Sequence, residues 1–370
     1  MTQRKKKRVL LPNPPVKPQP TINSKELTCF ITYSIGCIAL QKLTFELQDY
    51  WNRDGDKFVI FDQSTFEETL QKYDWGTIVL HRGGTHNWNT ENTPKLMALL
   101  NMQKSKGARL VYYIDDFLMH MNNSSPLHLM EICDIVIAKG YFLPDYLSKS
   151  EGVKNVVPLK TWINLNVFDS KENVATDFRR DFNILWFSAG RTGLGFLPSV
   201  LKDLNATDWN DAELHIIGSQ AALYRAHLNK YRGIHKAYSE KVGIGTLYSL
   251  VKGSDVIINP LHPETDNAEL VQIPAHKAFF NNAKVEIKFI ISGAGRKPLI
   301  TCHSRAYEEC IKHGKDGYIT DDPKEWVSIL EKLKASRNIR NRIGNAARAK
   351  VEKEYDAKDR WPEIRRLILG

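Results

Sequence analysis

Apolar residues along the chain gather in short runs that stop at glycine-containing or acidic turns and give way to helix-like spacing. One run, Cys29-Phe30-Ile31-Thr32-Tyr33-Ser34-Ile35-Gly36-Cys37, leads into Ile38-Ala39-Leu40-Gln41-Lys42-Leu43. Another, Ile184-Leu185-Trp186-Phe187-Ser188-Ala189-Gly190-Arg191, leads into Leu197-Pro198-Ser199-Val200-Leu201. Further β-rich runs stand at 58–61, 77–80, 109–114, 134–138, 155–159, 213–218, 255–260 and 298–301. Strands alternating with helices at this spacing predict parallel sheets. Two separate strand-turn-helix openings predict two of them, so the expected fold class is α/β, with two doubly wound parallel-sheet domains facing a central cleft.

The pattern lapses between about 169 and 180, where Asp169-Ser170-Lys171-Glu172-Asn173 and Thr176-Asp177-Phe178-Arg179-Arg180 are mostly polar, and the linker is placed there. The first domain is then 26–170 and the second 181–345. From Pro323-Lys324-Glu325-Trp326 to Arg365-Arg366 the chain is charged, amphipathic and helical, and residues 346–370 are expected to pack back on the first domain. Residues 1–25 hold Arg4-Lys5-Lys6-Lys7-Arg8 followed by Pro12, Pro14, Pro15, Pro18 and Pro20, the composition of a basic flexible arm.

At 370 residues the chain exceeds what one core usually supports. No apolar run reaches the ~18 residues of a membrane-spanning helix. The basic cluster is followed only by Val9-Leu10-Leu11 before Pro12, short of a signal-peptide apolar region, so a cytoplasmic protein is expected. Cys29, Cys37, Cys133, Cys302 and Cys310 show no C-x-x-C spacing and read as reduced, buried small hydrophobes. No zinc signature is present and no metal is expected. A net charge of +10 favours polyanionic partners, whether nucleic acid, an anionic membrane surface or phosphorylated substrates, with a solvated basic surface as the plain alternative. No obligate protein partner is predicted.

In open parallel sheets, ligands bind beyond the carboxyl ends of the strands. The second domain presents Gly190-Arg191-Thr192-Gly193, Gly218-Ser219 and the segment from Lys284 to Lys288 there. Glycine lets a backbone approach closely, and a following helix N-terminus offers N–H groups to an anion. Arg191 adds a bidentate contact to a phosphate, although a purely structural turn explains Gly-Arg equally well. Gly293-Ala294-Gly295 is a further place for close backbone approach.

The combination of motifs is more specific. The segment Asp255 to Pro260, then Phe280-Asn281-Asn282-Ala283-Lys284-Val285-Glu286-Ile287-Lys288-Phe289, then Lys297-Pro298-Leu299-Ile300-Thr301, then Tyr307-Glu308-Glu309-Cys310-Ile311-Lys312-His313-Gly314-Lys315-Asp316-Gly317-Tyr318, with Trp326 on the next helix, resembles the C-terminal half of group-1 (family 4) GT-B glycosyltransferases. Their pattern is a strand, a loop with Asn and Lys, a Lys-Phe helix start, a Pro-hydrophobic-hydrophobic strand and an Ile-x-x-Gly-x-x-Gly turn. The resemblance is specific over 184–330. It is looser over 28–165, where Leu110-Val111-Tyr112-Tyr113-Ile114-Asp115-Asp116, Asp134-Ile135-Val136-Ile137 and Lys154-Asn155-Val156-Val157-Pro158 match the order of strands and turns.

The resemblance implies a GT-B fold of two Rossmann-like domains, the first on the acceptor side and the second binding a nucleotide diphosphate sugar, with a UDP-sugar expected. It implies sugar transfer with retention and no cofactor or essential metal. Charge develops on the diphosphate leaving group, so cations and N–H dipoles held there matter most. Arg191, Lys284 and Lys288 are the candidates, with a solvated helix face the alternative for either lysine. Ser34 and Gly36 fall at the glycine loop facing the donor across the cleft. Gly190, Thr192, Gly218, Asn282 and Glu308 complete the expected donor contacts. One of Asp115 and Asp116 is expected to cap the next helix and the other to line the cleft as the acceptor's base. His81-Arg82-Gly83-Gly84-Thr85-His86 offers Arg82 and His86 to an acceptor, or is a polar surface loop.

One departure stands out. Many members of the family carry two glutamates eight positions apart around the Lys-Phe segment, and the second falls where this chain has Ile291. Glu264, Asp266, Glu269 and Glu286 are the nearby acids, and their spacing selects none of them. The stretch from His262 to His276 resembles an insertion over the site. The expected function is hexosyl or pentosyl transfer to a hydroxyl, either of a modified base in DNA, held through the Arg4 to Arg8 arm, or of a cell-surface glycan or lipid-linked sugar at an anionic membrane. The alternative is a non-catalytic nucleotide-sugar or nucleic-acid binding protein on the same shell, for which Ile291 is the best support.

Overall fold

The structure is a computed structural model and describes residues 23–32, 42–44, 46–82, 92–115, 125–170, 178, 180–188, 195–204, 209–218, 221–240, 242–261, 282 and 284–370. Two six-stranded parallel sheets organise it. The first contains β1 (Leu27–Thr32), β2 (Lys57–Asp62), β3 (Thr77–His81), β4 (Arg109–Ile114), β5 (Ile135–Lys139) and β6 (Val156–Leu159), in the order β2-β1-β3-β4-β5-β6. The second contains β7 (Phe182–Phe187), β8 (Trp209–Ile217), β9 (Ile234–Ser239), β10 (Val256–Asn259), β11 (Leu299–Thr301) and β12 (Tyr318–Ile319), in the order β12-β11-β10-β7-β8-β9.

The strands read as continuous apolar runs because helices cover both faces of each sheet. In the first sheet successive residues alternate between two cores. Cys29 and Ile31, Ile78 and Leu80, Leu110 and Tyr112, and Val136 and Ala138 enter one. Phe30, Val79, Val111, Tyr113 and Ile137 enter the other. That second core is completed from the far end of the sequence. Helix Ala357–Leu369 lays Trp361, Ile364, Leu367 and Ile368 onto it, with the Trp361 and Trp51 ring centroids 4.9 Å apart. Arg109 caps the helix by donating to the carbonyls of Ile368 at 3.1 Å and Leu367 at 3.3 Å.

The chain crosses between domains twice, side by side. Ile163 N donates to Tyr355 O and Ala357 N to Ile163 O, each at 2.9 Å. Nearby, Arg348 holds Asp169 bidentately at 2.9 and 2.8 Å. Helix Arg337–Glu354 packs with the second core through Ile343, Ala347 and Val351, so the return lies at residues 355–357, beyond the 346 read from the sequence.

Two strands escaped the sequence reading, β9 and β12, and both are sheet edges. In β9 only Ile234 is buried and Lys236 replaces a hydrophobe, so no apolar run marks it. β12 is two residues long. Among the described residues no helix is long and apolar enough to cross a membrane.

Candidate functional site

In the second sheet the winding reverses between β7 and β10, which opens a crevice at their carboxyl ends. Asn259 ends β10 and Thr301 ends β11, and Asn259 Nδ2 donates to Thr301 Oγ1 at 2.9 Å. This orients the amide so that its oxygen accepts from Lys288 Nζ at 2.5 Å. Lys288 reaches it from the first turn of helix Ile287–Ala294, whose Phe289, Ile290 and Ile291 anchor the inner face in the core. The ammonium also stands 5.6 Å from the Phe187 ring centroid. Burial, with the charge of Lys284 added, lowers Lys288 to about 7. An incoming anion reverses that shift, because an opposite charge favours the protonated amine.

Other expected donor residues have partners of their own. Lys284 is close enough for its charge to be felt at Lys288. Asn282 Oδ1 accepts from Arg305 N at 3.1 Å. Glu308 is exposed and pairs with His303 at 2.8 Å. Gly218 follows β8, and a Cβ there would lie 2.2 Å from the Ser188 carbonyl oxygen, so glycine lets the ends of β7 and β8 meet. Gly190, Arg191, Thr192, Ser34, Gly36, Asp116 and His86 lie outside the described residues, as do Glu264, Asp266 and Glu269.

Two expectations are corrected. Gly293 and Gly295 do not face a ligand: a Cβ would meet Val351 at 2.7 Å and Val251 at 2.6 Å respectively, so both serve helix packing. Nor does Glu286 present a carboxylate to the crevice. It is wholly buried and no hydrogen bond of regular geometry reaches its carboxylate oxygens. Burial raises its pKa. Ile291 is itself in the core, so this turn of the helix carries no acid toward the site.

On the opposite wall, the first sheet ends in a row of buried polar groups. Thr32 Oγ1 and His81 Nδ1 are 3.0 Å apart at the ends of β1 and β3, where that sheet reverses its winding. The next residue, Arg82, turns into the left-handed region at φ 53°. Its guanidinium makes a close ion pair with Asp115, which follows β4, and His81 Nε2 lies 3.6 Å from the same carboxylate oxygen. Burial alone would raise the Asp115 carboxyl, yet Arg82 and His81 together hold it well below the usual carboxylate range. Burial lowers His81, more than Asp115 raises it. Asp115 is therefore a counter-ion of Arg82.

His81 was read only as the start of the polar segment 81–86, and Lys139 and Asn259 were not singled out from the sequence. Each is the last residue of its strand, the place where a side chain leaves the sheet for the crevice. Inspecting the polar residue that ends or immediately follows each apolar run would have found all three.

Two interdomain contacts frame the cleft. Glu46 Oε1 accepts from Tyr248 OH at 2.9 Å and from Asn164 N at 2.8 Å, while Glu46 Oε2 takes Lys42 at 2.7 Å. Elsewhere Arg305 pairs with Asp145 at 3.0 Å. A cavity of about 280 Å³ lined by Asp169, Lys252, Arg296 and Arg348, among others, lies at the other end of helix Ile287–Ala294 from Lys288.

No family model and no curated protein matches the sequence. Solved structures do match. A glycosyltransferase from Rickettsia africae is 12% identical and superposes with a TM-score of 0.62, covering 93% of this chain and 99% of that one. Anabaena HepE, solved in complex with UDP-glucose, is 11% identical with a TM-score of 0.63, covering 92% and 98%. WaaG, a glycosyltransferase involved in lipopolysaccharide biosynthesis, is 11% identical with a TM-score of 0.62, covering 93% and 100%. The chain has the GT-B fold. Its two walls are the carboxyl ends of the two Rossmann-like sheets of that fold, with Lys288 and Asn259 on one and His81, Arg82, Asp115 and Lys139 on the other.

Proposed function

We propose that the protein is a glycosyltransferase that takes a sugar from a nucleotide diphosphate sugar, with a UDP-sugar the first donor to test. The observation that carries this reading is the partly buried Lys288 ammonium, held by Asn259 at the winding reversal of the second sheet. A cation aimed there suits the charge that develops on a diphosphate as the sugar–oxygen bond breaks. HepE, with the same fold, was solved with UDP-glucose. On this reading Lys288 and Lys284 hold the donor's phosphates, joined by Arg191 and the backbone at Gly190 and Thr192. Arg82, fixed by Asp115, and His86 meet the acceptor. Asp116 is the remaining acid at that strand end for the acceptor's proton. Retention, and the choice between hexosyl and pentosyl transfer, belong to the same proposal.

For the acceptor, the net charge of +10 supports a polyanionic setting, either DNA with hydroxylated bases or a glycan or lipid-linked sugar at an anionic membrane. Incubating the protein with labelled UDP-sugars and GDP-sugars, and offering hydroxymethylated DNA beside a lipid extract, tests donor and acceptor together. Label in neither, with no donor consumed, counts against an enzyme. The second reading is a non-catalytic nucleotide-sugar binder, favoured by Ile291 and by the burial of Glu286. Tight donor binding without turnover would support it.

A further inference from the structure

Lys139 ends β5 on the first-domain wall, and only 2% of it is exposed. Its ammonium stands 3.7 Å from the ring centroid of Trp162 and 5.8 Å from that of Tyr113. It makes no hydrogen bond and no ion pair with any described residue. The acids around it have other partners. Asp115 is held by Arg82, and Glu46 by Lys42, Tyr248 and Asn164. Glu286, the remaining carboxyl whose charge bears on Lys139, lies beyond ion-pair distance and is itself favoured in its neutral form by burial. An ammonium taken out of water without a hydrogen-bonded counter-ion is costly, and the aromatic walls return only part of that cost. A methionine in this position would be the more stable choice.

The location gives the unpaired charge a use. Lys139 stands on the same sheet end as Arg82 and Asp115. The next residue, Gly140, faces the second domain, where a Cβ would lie 3.1 Å from Val285 Cγ1, close in sequence to Lys288. We infer that Lys139 is the counter-ion for an anionic group, a phosphate or a carboxylate, on the acceptor. This rests on the reading of the protein as a glycosyltransferase with its acceptor in the first domain. It adds that the acceptor is charged near the receiving hydroxyl. Burial lowers Lys139 to about 8, with Lys42 contributing, so the amine stays largely protonated at neutral pH.

The test is calorimetric titration of the full chain, saturated with UDP, with inorganic phosphate in one arm and glucuronate in the other. Glucose is the neutral control. The expected result is binding of one of the two anions, weakened about tenfold or more by Lys139→Met and kept by Lys139→Arg, as loss of one charge-assisted contact predicts. Lys139→Met should melt no lower than the unsubstituted protein, which separates lost binding from lost folding. Trp162 supplies a second readout, a fluorescence change on anion binding that Trp162→Phe abolishes. Absence of binding by both anions, or equal binding by Lys139→Met, overturns the inference. Lys139-dependent anion binding in a protein that ignores UDP leaves the inference standing and counts against the donor reading alone.

Discussion

Lys288 donates to the side-chain oxygen of Asn259 at 2.5 Å, tying the first turn of helix Ile287–Ala294 to the carboxyl end of β10. The bond fixes a cation whose proton is held only up to about pH 7. UDP affinity should therefore fall as pH rises through 7, by up to about tenfold per pH unit for the one proton involved. Calorimetry between pH 6 and 9 reads this directly. Lys288→Arg, which stays charged, should flatten the profile.

The same lowered pKa has a stability consequence of opposite sign. The folded protein binds fewer protons at Lys288 and Lys139 than the unfolded chain does between about pH 7 and 10, so stability should rise with pH in that window. Replacing both lysines with methionine should raise the melting temperature at pH 7 and remove the slope. Thermal scans across the window check it.

Asp115→Asn removes the carboxylate paired with the buried Arg82 guanidinium and should cost about 3–5 kcal/mol, measured by urea unfolding at pH 7. Because the Asp115 pKa is depressed, its contribution is present above the ordinary carboxylate range and is lost as pH falls below about 4. The variant should accordingly show a shallower acid limb.

Trp361→Ala removes an indole packed on Trp51 and bonded to Asp54 at 2.5 Å, and should destabilise the first domain by about 3–5 kcal/mol. Tyr248→Phe removes a bond between domains while Glu46 keeps Lys42 and Asn164. It should cost about 1–2 kcal/mol and widen the distribution of cleft openings seen by solution scattering. Chemical unfolding of each variant distinguishes the two effects.

The apolar runs at 77–80 and 109–114 became β3 and β4 because strands buried on both faces need hydrophobes at every position. That signal is missing from the edge strand β9, where His235 and Lys236 interrupt any apolar run. The Lys288 position was legible from the Lys-Phe helix start, but its partner Asn259 was not, since pairing across elements depends on the crossover that sets β10 beside β7. The pairing of Asp115 with Arg82 was not legible either, because it joins the ends of two strands that only the sheet sets side by side.

The central claim is that Lys288 holds the diphosphate of a sugar donor during transfer. The most direct measurement is release of UDP from UDP-glucose and related nucleotide sugars by the full chain and by Lys288→Ala. The account predicts turnover with at least one donor and a fall in kcat of about 10²- to 10³-fold on substitution, the range for losing a group that stabilises transition-state charge. No UDP released from any donor, or equal turnover by the two proteins, would contradict it.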